Sequence, residues 1–142
     1  MALNVLVVDD SAVMRTMVIK TLRLCGLSLS EIYQAGNGAE GLKILDQDCI
    51  DLALVDINMP VMNGEEMIHR VRSNPLTADL PVIVVSTEGS MARIAALERI
   101  GVGFVHKPFN PVNLRKMIIN VTGGIDAPTT ADSASPSSGY DF

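Results

Sequence analysis

Three carboxylates, a hydroxyl and an ammonium group stand where apolar runs of this chain stop. Residues 3–8 end in Asp9-Asp10, residues 52–55 in Asp56, residues 82–85 in Ser86-Thr87, and residues 103–106 in Lys107-Pro108. Three carboxylates brought close together repel, and unpaired they drive at least one pKa upward. A hard divalent cation relieves that repulsion. Mg²⁺ takes octahedral oxygen ligands, using one or two carboxylates and keeping water. The backbone carbonyl of Asn58, just past the third apolar run, could add a ligand. Beside such a cation Asp56 becomes a candidate nucleophile, able to accept a phosphoryl group as an acyl phosphate. The cation would neutralise the transferring oxygens. Lys107 would pair with a further phosphate oxygen as a point charge, and Ser86 would donate to a third. A cis Lys107-Pro108 bond is expected to hold the lysine in place.

These residues need elements that bring them to one edge. Apolar runs alternate with helical patterns throughout, the signature of an open α/β sheet. Strands are expected at 3–8, 31–35, 52–55, 82–85 and 103–106. The fourth, β-branched throughout, reads as buried on both faces. Helices are expected at 12–25, with Asp10-Ser11 as cap and Gly26 as stop, then from Asn37 to about 46, 64–73 behind Asn63, 90–100, and from Asn110-Pro111 to 122. In the first helix Val13, Met17, Val18, Thr21 and Leu24 follow helical spacing and are assigned to the core. Met14, Met17, Met67 and Met117 are assigned to packing. Connections of this length favour parallel strands, whose ligands bind outside the carboxyl ends. Every polar residue singled out lies at those ends.

The 142 residues suit one domain, 1–123, followed by a Ser/Thr/Ala/Pro-rich tail, 124–142, expected to be disordered. Aromatic residues are 4% of the chain and Trp is absent, so the core must be aliphatic. A net charge of −5 argues against nucleic-acid binding. No apolar run reaches membrane-spanning length and no signal peptide is evident, so a cytoplasmic protein is expected. Cys25 and Cys49 are read as buried free thiols. His69, exposed on the third helix, and His106, turned away from Lys107, are read as structural or incidental.

Taken together, the runs Val-Val-Asp9-Asp10-Ser11, Val-Asp56-Ile-Asn-Met-Pro60-Val-Met-Asn-Gly64, Val-Val-Ser86-Thr and Phe104-Val-His-Lys107-Pro108-Phe109 resemble the receiver domain of bacterial two-component response regulators. The stand-alone, CheY-like chemotaxis type is the most similar. The resemblance spans residues 4–122. It implies a flavodoxin-like, doubly wound, five-stranded parallel sheet of order 2-1-3-4-5 with five helices. It further implies that Asp56 is the phosphoacceptor, that Asp10, Asp56 and the Asn58 carbonyl ligate Mg²⁺ (or Mn²⁺), and that Asp9 acts largely through water. Ser86 takes the place of the switching hydroxyl and Phe104 that of the aromatic that turns inward. Many chemotaxis members have Tyr at the latter position, so a phenolic hydroxyl is missing here. Asn58 and Glu88 match positions that tune hydrolysis, and a short-lived phosphoform is expected. Implied partners are a histidine kinase and a protein target such as a flagellar motor switch or a phosphatase, read by a monomer through Met91, Ile94 and Phe104.

Each residue alone has an ordinary explanation: Asp10-Ser11 as a helix cap, Asp56 as a turn residue, Lys107 as a solvated charge. Other readings of the whole are a phosphate sink, an aspartyl-nucleophile phosphohydrolase and an FMN carrier. The phosphohydrolase reading lacks an Asp-x-Asp spacing, because Asp9 and Asp10 are adjacent. The FMN reading lacks a phosphate-binding Ser/Thr/Gly loop. A terminal Tyr140-Asp141-Phe142 is a candidate docking peptide.

Overall fold

The computed structural model describes residues 2–57, 59, 61–87 and 91–123. The expected alternation is present: β1 (Leu3–Val8), α1 (Ala12–Leu24), β2 (Leu29–Ala35), α2 (Gly38–Gln47), β3 (Leu52–Val55), α3 (Gly64–Ser73), β4 (Val82–Ser86), α4 (Met91–Glu98), β5 (Val102–His106) and α5 (Pro111–Thr122). All strand pairs are parallel, in the order β2-β1-β3-β4-β5. This is the flavodoxin-like, doubly wound sheet. Two boundaries differ from expectation by two residues, and α1, β4 and β5 by one. β2 begins two residues earlier, at Leu29, and α4 stops at Glu98, with Arg99 and Ile100 already in the turn to Gly101 (φ 79°). The tail, Asn58 and Glu88 lie outside the described residues.

The strands β1, β3 and β4 are apolar on both faces because both faces are covered. Leu6, Val8, Ala53, Val55, Val82 and Val84 pack with Met67, Ile68 and Val71 of α3 and Leu97 of α4. Val5, Val7, Leu52, Leu54, Ile83 and Val85 pack with Val18 and Leu22 of α1 and Leu114 and Ile118 of α5. Each large aliphatic side chain removed from water in this way contributes about 2 kcal/mol. The side chains of Asn37, Asn63 and Asn110 cap α2, α3 and α5 as expected, and Ser11 caps α1 by accepting from the Met14 N–H at 3.2 Å.

The assignment of the α1 face is corrected. Val13, Met17 and Leu24 are 70%, 54% and 67% exposed, while Val18, Leu22 and Cys25 are buried. α1 carries two apolar stripes, and the sheet selects the one ending at Cys25. Met67 is buried and Met14 and Met117 are half-buried. Cys49 is exposed rather than buried, and both thiols are free. Burial pushes the Cys25 thiol pKa upward, Arg115 opposing, which keeps it protonated and inert.

One side chain holds the opposite end of the sheet from the polar cluster. Arg72 of α3 donates from Nη1 to the carbonyls of Ala78 and Leu80 (3.1 and 2.7 Å), from Nε to Ile100 (2.8 Å) and from Nη2 to Gly101 (3.1 Å). It thereby ties the approach to β4 to the approach to β5. Arg72→Met keeps the aliphatic stem and removes all four bonds, so it should cost about 3 kcal/mol in urea unfolding. Arg72→Lys, which cannot span the four carbonyls, should recover less than half.

Candidate functional site

The ladder sets the geometry. Val8 pairs with Val55, so Asp9 and Asp56 are the first residues beyond two adjacent strands. The Asp56 N–H donates to the Val8 carbonyl at 2.9 Å and the Asp9 N–H to the Ala35 carbonyl at 3.1 Å. On the other side the Lys107 N–H donates to the Ser86 carbonyl at 2.9 Å. Backbone bonds therefore fix Asp9, Asp56, Ser86 and Lys107 in one row along the carboxyl edge. The Lys107-Pro108 bond is cis, as expected.

Carboxylate oxygens of Asp9, Asp10 and Asp56 lie within 4.8 Å of one another. Lys107 Nζ sits 3.4 Å from Asp9 Oδ2 and 3.8 Å from Asp56 Oδ1. Asp9 is buried, and its Oδ1 also accepts the Ser11 N–H at 2.9 Å. Asp10 is exposed and makes no hydrogen bond or ion pair among the described residues. Burial raises the Asp56 pKa, and the charges of Asp9 and Asp10 raise it further. Lys107 and the Ile57 N–H pull it down without cancelling the rise. Three carboxylates against one ammonium leave two negative charges in a half-buried space. A hard divalent cation with oxygen ligands fits that donor set.

The turn after Asp56 is tightly made. The Gly64 N–H donates to the Ile57 carbonyl at 2.8 Å, and a Cβ at Gly64 would collide with the Asp56 carbonyl. Only glycine lets α3 start against the strand that carries the carboxylate. A capping box between Asn63 and Glu66 then fixes the helix. Val61 is the exception to local ease: it is 83% exposed and holds φ at 67°, a left-handed conformation that a β-branched residue resists.

Ser86 is buried and paired in register with His106, while Val84 pairs with Phe104. Ser86, Phe104 and His106 thus share one sheet face by alternation, the face that α4 covers. Phe104 is half-buried against the α3–α4 core cluster. Met91 is 78% exposed, and Ile94 is half-buried beside it on α4. His69 is exposed, as expected. His106 is not incidental. Its ring meets Phe104 edge-on, with centroids 5.2 Å apart and planes at 63°. The i, i+2 spacing on a strand was the available signal. Asn58 and Glu88 cannot be added to the site, because they lie outside the described residues.

The model of the response regulator receiver domain family matches residues 5–119, and the chain belongs to that family. It is a CheY-like receiver domain. The Campylobacter jejuni chemotaxis protein CheY homolog is 34% identical over 123 residues, covering 85% of this chain and 93% of that protein. Helicobacter pylori chemotaxis protein CheY1 is 34% identical over 126 residues, covering 87% and 100%. Among solved structures, Vibrio cholerae CheY4 superposes with a TM-score of 0.75 at 34% identity, covering 85% of this chain and 99% of that one.

A raised Asp56 pKa has a signed consequence. Its contribution to stability is fully present below the unfolded carboxyl pKa and is lost as pH rises through the raised folded value. Without metal, Asp56→Asn should therefore raise the melting temperature at pH 7, and the gain should shrink as pH falls toward 4. Equal stabilisation at both pH values would contradict this. Val61→Asn, which tolerates the left-handed conformation, should stabilise the fold by about 1 kcal/mol in denaturant titration.

Proposed function

We propose that this chain is a phosphorylation-controlled signalling switch. The observation that carries the reading is one row of side chains. Carboxylate oxygens of Asp9, Asp10 and Asp56 lie within 4.8 Å, and Lys107 reaches both Asp9 and Asp56. Asp9, Asp10, Asp56 and the Asn58 carbonyl would hold Mg²⁺, or Mn²⁺ in its place. Bound there, the cation neutralises charge on the transferring phosphoryl oxygens. Asp56 is the nucleophile: its bond to phosphorus forms as the bond from phosphorus to the donor's leaving atom breaks. The donor is a phosphohistidine of a histidine kinase or a small acyl phosphate. Lys107 pairs with a phosphoryl oxygen, and the Ser86 hydroxyl donates to another.

Movement of Ser86 toward the phosphate biases Phe104, which lies on the same face beside His106, the residue paired with Ser86 across the β4–β5 ladder. The surface formed by Met91, Ile94 and Phe104 then reports the state to a protein target. The CheY relatives support chemotaxis as the pathway and a flagellar motor switch or a phosphatase as that target. Asn58 and Glu88 tune hydrolysis, and residues 1–123 carry the whole activity. No helix among the described residues is long and apolar enough to cross a membrane, which fits a cytoplasmic switch.

The test is incubation with Mg²⁺ and acetyl phosphate, followed by rapid quench and intact mass. The parent should gain the mass of one phosphoryl group, dependent on Mg²⁺, and Asp56→Asn should gain none. Lys107→Ala should still accept phosphate but lose the accompanying shift of Phe104 resonances. Ser86→Ala should lose that shift too and react more slowly. Label in Asp56→Asn equal to that in the parent would remove the assignment.

A further inference from the structure

Asp10 presents a problem that the cluster alone does not solve. It supplies one of three oxygens in a tight group, yet it is exposed and no hydrogen bond or ion pair holds its carboxylate among the described residues. Asp9 is held by its buried side chain, the Ser11 N–H and Lys107. Asp56 is held by Lys107 and the Ile57 N–H. Among the described residues only the backbone aims Asp10, so whatever fixes the Asp9–Asp10 peptide sets where the third oxygen can reach.

Arg15, in the first turns of α1, grips that peptide. Its Nη1 donates to the Asp9 carbonyl at 2.6 Å, a short charge-assisted bond. Its Nε donates to Gln34 Oε1 at 3.0 Å, anchoring the guanidinium near the end of β2. The planar fork joins α1, the end of β1 and the end of β2 around one carbonyl oxygen. Arg15 meets the cluster at the backbone of the Asp9–Asp10 peptide rather than at a carboxylate.

We propose that Arg15 is a positioning residue for the cation site, with Gln34 as its anchor, and that it sets the affinity for the divalent cation by orienting Asp10. This rests on the reading of the acidic cluster as a Mg²⁺ site. The sign of the effect separates it from electrostatics. A positive charge near three carboxylates repels a cation, so by charge alone its removal would tighten binding. Orientation predicts the opposite.

The measurement is isothermal titration calorimetry of the full chain with Mg²⁺ and with Mn²⁺. Melting temperature in EDTA is recorded alongside as the measure of fold. Arg15→Met should weaken binding of both ions by about tenfold, the scale seen when a group supporting a metal ligand is removed. Arg15→Lys, which reaches the Asp9 carbonyl but not Gln34 at once, should recover part of the loss. Gln34→Leu should weaken binding by a smaller factor. A lowered melting temperature with unchanged cation affinity would overturn the proposal and leave Arg15 a structural residue. Tighter binding in Arg15→Met would overturn it in favour of charge repulsion. If Arg15→Met fails to fold, Arg15→Lys and Gln34→Leu decide by the same criterion. A parent that binds neither ion would overturn the cation-site reading itself, and this proposal with it.

Discussion

Everything at the carboxyl edge depends on the register of one parallel pairing. β1 and β3 run side by side with Val8 opposite Val55, and the next backbone bond, from Asp56 to Val8, continues the ladder past the strand end. The carboxylates of Asp9 and Asp56 are therefore neighbours by hydrogen bonding rather than by attraction, since like charges would separate if free. The aliphatic core enforces this. A slip of one residue would turn every inward Val and Leu of the strand to the opposite face. The stability of the sheet thus holds two like charges together under strain, and the Asp56 pKa is raised first by burial and further by the charges of Asp9 and Asp10.

The rest of the fold relieves or uses that strain. Lys107 arrives from β5, two strands away from β3, and offers one ammonium to two carboxylates. Gly64 lets α3 begin directly against the Asp56 backbone. On the face that α3 and α4 cover, Ser86 pairs in register with His106, whose ring meets Phe104 edge-on. A change at the edge has a direct route to the α4 surface along this face. At the far end Arg72 fixes where β4 and β5 begin, so displacement at the carboxyl ends acts against a held base.

Strand positions were legible because β3 is wholly apolar, β4 is apolar up to Ser86, β1 is broken only by Asn4, and each gives way abruptly to polar residues. The caps at Asn37, Asn63 and Asn110 were legible for the same local reason: the side-chain oxygen accepts from a backbone N–H only three residues on. The face of α1 was not. Val13, Met17 and Leu24 compete with Val18, Leu22 and Cys25 at equally good helical spacing, and only packing on the sheet decides between them. The site residues were legible from their shared place after strands. Contacts that reach across elements were not: Arg15 to the Asp9 carbonyl and Arg72 to four carbonyls leave no periodic mark.

β5 pairs with β4 alone and forms an edge of the sheet. Its outer side offers a ladder position to any passing extended chain, a common origin of aggregation. The strand is only five residues long, ends at an exposed His106, and is followed by Lys107 and by Pro108, which has no N–H to donate. The lysine and proline that complete the cluster at the carboxyl edge therefore also terminate one of the two open edges of the sheet, the other being β2. Lengthening β5 past them would extend an unpaired edge, which limits how far that strand can grow.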